Sequence, residues 1–223
     1  MTTLLLVRHG LTRLTGPVLA GWTPGLHLDE RGAKQATAIA ERLRPIPLAA
    51  VVSSPLERCR DTADAIAAER PLEVTLDERF GEVRYGDWTG QEIRKLVRDP
   101  LWKVIQARPS AVTFPNGEAL PDAQLRALTA VRDWNARLVP DASYVVCSHA
   151  DVIKAIVADA LGLHLDQFQR IAISPASLTV IRYAGLRSTV VRVNDTGGSV
   201  DDLLPPRRRP RQPKAPRQAA THG

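Results

Sequence analysis

Along most of this chain, short apolar runs stopped by polar or charged residues alternate with stretches whose apolar positions recur every three or four residues. Residues 4–7 are four consecutive apolar residues, too few for a helix, and they stop at Arg8, His9 and Gly10. A buried strand delivering a cation and an imidazole to a surface is expected there. Residues 49–53 and 144–148 repeat the device, the second running into His149, and residues 73–76 read as a further strand.

Helical patterning fills the intervals. After Asp29, a good N-cap, Ala33, Ala36, Ile39, Ala40 and Leu43 mark one face until Pro45 stops it. Residues 54–57, Ser-Pro-Leu-Glu, read as a capping box with proline at the first helical position, so a helix is expected to start there with Arg58 in its first turn. Residues 77–90 read as an ordered loop, and helical patterning from Gln91 is interrupted at Asp99 and Pro100. A loop over 109–120 precedes a helix at about 121–138, and another helix is expected over 150–161. Residues 177–183 and 188–193 alternate around Ala184 and Gly185 as a terminal hairpin. Strands alternating with helices predict the α/β class, with a mostly parallel sheet flanked by helices on both faces in three layers.

That topology gives the polar strand ends a meaning, because ligands of open α/β sheets sit beyond the carboxyl ends of the strands. Arg8 with His9, Arg58 and His149 all follow such ends. Two guanidiniums and two imidazoles around one crevice suit a doubly charged phosphoryl group, since arginine offers paired donors at fixed geometry. Adjacent strand residues point to opposite faces, so Arg8 and His9 can share one ligand only if the chain turns at Gly10.

Composition changes the picture in one place. The 223 residues, 44% of them apolar, suit one globular domain, expected over residues 1–198. The net charge of +6 suggests a nucleic-acid or membrane partner until it is located. Arg207, Arg208, Arg209, Arg211, Lys214 and Arg217 are six of the 30 basic residues, and the remainder equal the 24 acidic residues in number. Residues 199–223 are therefore expected to be a disordered Pro/Arg-rich tail, a solubilising appendage with at most weak docking to nucleic acid or anionic lipid. No aromatic residue interleaves with its arginines. The two cysteines, Cys59 and Cys147, are far apart and suit reduced thiols, and no zinc spacing is present. The opening carries no basic region or cleavage pattern, and no run approaches the ~20 apolar residues of a membrane span, so a cytoplasmic protein is expected.

The residues that carry the chemistry resemble a known family. Arg8-His9-Gly10, the segment 53–63 around Arg58, Phe80-Gly81-Glu82 with Gly86-Asp87-Trp88-Thr89-Gly90, and Ser148-His149 resemble, in order, the motifs of the histidine phosphatase superfamily in its phosphoglycerate-mutase-like branch. The resemblance runs from about residue 3 to about residue 195 and excludes the tail. It implies that His9 is the nucleophile and carries a phosphohistidine, that Arg8, Arg58 and His149 hold the phosphoryl oxygens, and that Glu82 is the proton donor. No cofactor or metal is implied, and the partner is a small phosphorylated metabolite. Such proteins often form dimers, so a homodimer is an expectation of the resemblance.

Departures from the pattern matter too. Leu11 to Thr15 replaces the acid, hydroxyl and amide residues often found after the glycine, leaving Thr15 to lend a hydroxyl and making the rim more apolar. Ala150 stands where glycine is usual after the second histidine. Trp22, Arg84 and Tyr85 are candidates for the pocket wall and Trp88 for packing, while His27 and His164 read as surface histidines and Glu118 as structural. Phosphatase activity is favoured over phosphomutase activity, because mutases of this type carry longer lids than residues 109–120 offer. A non-catalytic phosphate-binding or tail-mediated interaction protein is the third reading.

Overall fold

The computed structural model describes residues 1–68, 70–185 and 187–198, so the expected tail over 199–223 lies outside the described residues. A six-stranded sheet forms the centre, with strands β1 (Thr2–Arg8), β2 (Leu48–Ser53), β3 (Val74–Leu76), β4 (Ser143–Ser148), β5 (Leu178–Ala184) and β6 (Arg187–Asp195) in the order β3-β2-β4-β1-β5-β6. The pairs β1/β4, β2/β4 and β2/β3 are parallel, whereas β5 runs antiparallel to β1 and forms the expected hairpin with β6.

The uninterrupted apolar runs follow from burial on both faces. Leu4 and Leu6 of β1 and Val146 of β4 face helices α5 (Leu120–Arg137) and α6 (Ala150–Ala160), packing among Val131, Ile153 and Ile156. Leu5, Val7, Val145 and Cys147 face helices α1 (Glu30–Leu43) and α2 (Glu57–Ala67), with Ile39, Leu43 and Ile66. Short helices α3 (Ile93–Leu96) and α4 (Pro100–Ala107) flank the interruption at Asp99, whose carboxylate caps the second of them. Among the described residues, no helix is long and apolar enough to cross a membrane.

Three local expectations change. Asp29 does cap α1, accepting from Gly32 N at 2.8 Å, but Ala33 is exposed and Gly32 is the buried residue of that turn. The predicted capping box does not form: α2 begins at Glu57 without a side-chain cap, and Glu57 Oε1 instead accepts from Gly25 N. The stretch 109–120 is not a plain loop, since it contains a 3-10 turn at Pro109–Ala111, a bridge between Thr113 and Ala119, and buried Val112 and Phe114.

Gly32 is where α1 meets the loop after β1. A Cβ there would lie 2.0 Å from the Leu11 carbonyl oxygen, and one on Gly10 would lie 2.6 Å from the Gly32 carbonyl oxygen. The backbone-to-backbone approach holds the Arg8–His9 turn against the helix. Gly32→Ala is accordingly expected to destabilise the fold by about 1–3 kcal/mol through overpacking. The urea unfolding midpoint checks this, and an unchanged midpoint would refute the close approach.

Candidate active site

Because β4 lies between β1 and β2, the carboxyl ends of these three strands are neighbours, and each delivers one part of the site. β1 ends in Arg8 and runs into His9, whose backbone N–H donates to Ser148 O at 3.0 Å and so continues the ladder to β4. β2 ends at Ser53 and leads into α2, which carries Arg58 as its second residue. β4 ends at Ser148, and His149 is the N-cap residue of α6.

The His9 ring is held as one tautomer. Its Nδ1–H donates to Gly10 O at 2.7 Å, and Arg58 Nε donates to its Nε2 at 3.3 Å. Burial first, then the charges of Arg58 and Arg8, holds its pKa well below the usual imidazole range. The imidazole is therefore neutral near pH 7, and Nε2 keeps a lone pair.

Arg58 is fully buried, and its Nη2 donates to Gly21 O at 2.8 Å and to His149 Nδ1 at 3.2 Å, while Nη1 has no partner. Arg8 donates through Nη1 to Ile173 O at 2.7 Å and likewise keeps a buried, unpartnered Nε. Leaving a charged donor buried and unpaired is costly, so two such groups on guanidiniums that line one cavity mark a place for an anion.

His149 lies behind this wall and is fully buried. Its Nε2–H donates to Ser54 Oγ at 2.8 Å, and burial followed by the charge of Arg58 pushes its pKa well down. Neutral, it makes no ion pair with Glu82, whose Oε2 stands 3.7 Å from Nδ1, beyond hydrogen-bond distance. Cys59 Sγ is 3.4 Å from Nε2, and burial pushes that thiol up to about 12, so it is an unreactive packing neighbour of His149.

Glu82 stands beside Arg8, His9 and Arg58 in the cavity lining. Burial first and the nearby charge of Asp151 second raise its pKa to about 7, against the opposing pull of Arg58 and Arg8. A carboxyl poised at that value can give up or take a proton near neutrality. Its segment is tied down through the backbone: Trp22 Nε1 donates to Glu82 O at 2.6 Å and Arg126 Nη2 at 2.9 Å. Arg126 Nη1 also donates to Arg79 O and Gly81 O, and its guanidinium pairs with Glu118, which confirms the structural place of that acid.

Arg8, His9, Arg58, Glu82, Tyr85 and Asp151 share the lining of one cavity of about 160 Å³. Thr15 lines it too, with its hydroxyl accepting from Thr12 N at 3.0 Å. A larger hollow of about 450 Å³ lies between α1 and α2 and holds none of these side chains. There Arg70 is occupied by the carbonyls of Leu43, Ile46 and Ile66. Trp88 packs against Trp102 and Phe114 rather than lining the site, and His27 and His164 are exposed beside Asp61 and Asp166. Among the described residues, no group of three or more His, Cys, Asp or Glu side chains is arranged to hold a metal ion.

Sequence reasoning missed Ser54, Arg126 and Asp151 as parts of this site. Asp151 had a usable signal, since it stands in the first turn of a helix three residues beyond a strand end. Arg126 had none, being one of several arginines on an amphipathic helix.

Residues 4–196 match the histidine phosphatase superfamily (branch 1). The chain is 35% identical over 199 residues to the bifunctional protein Rv2228c of Mycobacterium tuberculosis, covering 88% of this chain but 54% of that protein, so it spans about half that relative's length. It is 32% identical over 207 residues to phosphoserine phosphatase 1 of Hydrogenobacter thermophilus, covering 88% and 93% of the two chains. Among solved structures, YhfR of Bacillus stearothermophilus matches with a TM-score of 0.82 at 29% identity, over 87% of this chain and 98% of that one. A mycobacterial glucosyl-3-phosphoglycerate phosphatase in complex with VO3 matches with a TM-score of 0.79 at 28% identity, over 86% and 98%.

Proposed function

The chain belongs to the histidine phosphatase superfamily, branch 1, and from that membership we propose that it hydrolyses small phosphomonoesters through a phosphohistidine at His9, with Glu82 as proton donor. The observation that carries this is the pair of buried, unpartnered guanidinium donors, Arg8 Nε and Arg58 Nη1, beside a neutral His9 in one cavity. The phosphatase names of two similar proteins support hydrolysis over transfer to a second hydroxyl.

In this mechanism His9 Nε2 attacks phosphorus, and the ester P–O bond breaks as Glu82 gives its proton to the departing oxygen. Water then attacks the phosphohistidine and loses a proton to the Glu82 carboxylate, and the P–N bond breaks to release inorganic phosphate and restore both groups. Arg8 and Arg58 balance the charge on the equatorial oxygens throughout, which is the dominant contribution in phosphoryl transfer. His149 enters as a positioning residue, because its Nδ1 holds Arg58 while Ser54 fixes its own ring.

Rapid mixing with ³²P-labelled phenyl phosphate followed by an alkaline quench tests the covalent step. Label stable to base and lost in acid is expected on the unaltered protein and absent from His9→Ala. Turnover without such label would overturn the phosphohistidine route.

A further inference from the structure

The part of the cavity beyond Arg8, His9 and Arg58 has its own electrostatic character. Val18, Leu19 and Ala20 are apolar, and Thr12, Thr15 and Tyr85 offer neutral hydroxyls. No lysine or further arginine lines it among the described residues, and its remaining ionisable acids are Glu82, which carries the proton for the leaving group, and the carboxylate of Asp151. That carboxylate is fixed rather than free to swing away: Oδ2 accepts from Tyr85 Oη at 2.9 Å and Oδ1 takes Lys154 Nζ at 3.1 Å. Lys154 sits outside the lining and is itself shared with Gln169 Oε1. The negative charge still reaches into the cavity, since Asp151 helps to raise Glu82 and opposes the lowering of Arg8.

Given the phosphatase assignment above, on which this step depends, we infer that Asp151 and the apolar rim make the site selective for phosphomonoesters whose alcohol portion carries no second anionic group. A phosphoryl group bound by Arg8 and Arg58 leaves its alcohol portion to the Asp151 side of the cavity. A carboxylate there would meet the Asp151 carboxylate, whose paired cation Lys154 lies outside the lining and offsets the repulsion only in part. A neutral alcohol meets hydroxyls and aliphatic carbons instead. The selectivity works by exclusion, and Asp151 is the repulsive element.

Glycerol 3-phosphate and 3-phosphoglycerate share a skeleton and differ at one end, a hydroxymethyl group against a carboxylate. Dissociation constants for both are to be measured by calorimetry on His9→Ala and on His9→Ala/Asp151→Asn. Competition of the same two esters with p-nitrophenyl phosphate on the unaltered enzyme and on Asp151→Asn gives the ratio independently of how the His9 variants fold. Glycerol 3-phosphate is expected to bind at least about tenfold more tightly, and Asp151→Asn to bring the two within about threefold, chiefly by improving 3-phosphoglycerate. Any effect of Asp151 through Glu82 falls on both alkyl esters and cancels in the ratio. Equal binding, preference for the carboxylate, a ratio unmoved by Asp151→Asn, or no binding of either ester would overturn the inference. Failure of the phosphatase assignment shows separately, as an unaltered protein that releases no phosphate from p-nitrophenyl phosphate.

Discussion

Replacing His9 by alanine is expected to lower kcat for p-nitrophenyl phosphate by roughly 10³–10⁶-fold while changing KM little, the pattern of a lost nucleophile rather than a lost binding group. The reason is local. His9 lines the cavity and its Nε2 is held only by a 3.3 Å hydrogen bond from Arg58 Nε, whereas His149 does not line it and both its nitrogens are engaged by Arg58 and Ser54. The guanidiniums that bind the phosphoryl group remain, so substrate should still saturate the variant. Removing a buried imidazole takes away the hydrogen bond to Gly10 O, the one accepted from Arg58 Nε, and an edge-on contact with His149 at 5.3 Å, and none of these underpins the sheet. Circular dichroism and steady-state phosphate release together check the prediction. A folded variant that kept more than a tenth of its activity would place the nucleophile elsewhere.

The second large effect separates substrates by their leaving groups. Glu82→Gln is expected to cost about 10²–10⁴-fold in kcat on an alkyl ester such as glycerol 3-phosphate and much less on p-nitrophenyl phosphate, whose phenolate departs with little need of a proton. A pH profile adds a sign. The Glu82 pKa of about 7 lies above the ordinary carboxyl value, so the proton-bearing form prevails below about 7 and is lost as pH rises through it. Turnover of the alkyl ester should therefore fall above about pH 7, clear of the second ionisation of a phosphate ester near 6, and that limb should be missing in Glu82→Gln. Equal losses on both esters would remove Glu82 from the donor role.

What makes Glu82 suitable is written in several separated places. Its own neighbours Phe80 and Gly81 mark an ordered segment, but the raised pKa comes from enclosure and from Asp151 at the start of α6. Its backbone is held by Trp22 from the loop after β1 and by Arg126 from the middle of α5. None of these partners is near it in the chain, so no local pattern could announce them.

Ser54 makes the same point through a competition. The local signal for a capping box was sound, and a helix does begin within three residues. The hydroxyl is shared instead: Ser54 Oγ accepts from Leu56 N at 3.3 Å just ahead of the helix and from the buried Nε2–H of His149 at 2.8 Å. A buried imidazole cannot turn to water for an acceptor. The exchange of Ala33 for Gly32 at the start of α1 is similar, since only a residue without a side chain lets the helix touch the backbone after β1.

By itself the sequence determined the alternation of buried strands and amphipathic helices, the polar endings at Arg8–His9 and Ser148–His149, and the place of Arg58 in the first turn of α2. These are properties of short segments, set by which residues can be buried on both faces and which must stop a strand. The tertiary structure alone decided that β4 inserts between β1 and β2, that His149 stands behind Arg58, and that Glu82 is held by Trp22 and Arg126 under the charge of Asp151. Those outcomes depend on long-range packing and on the low-dielectric enclosure it creates, where the energy of each polar group is set by neighbours far away along the chain.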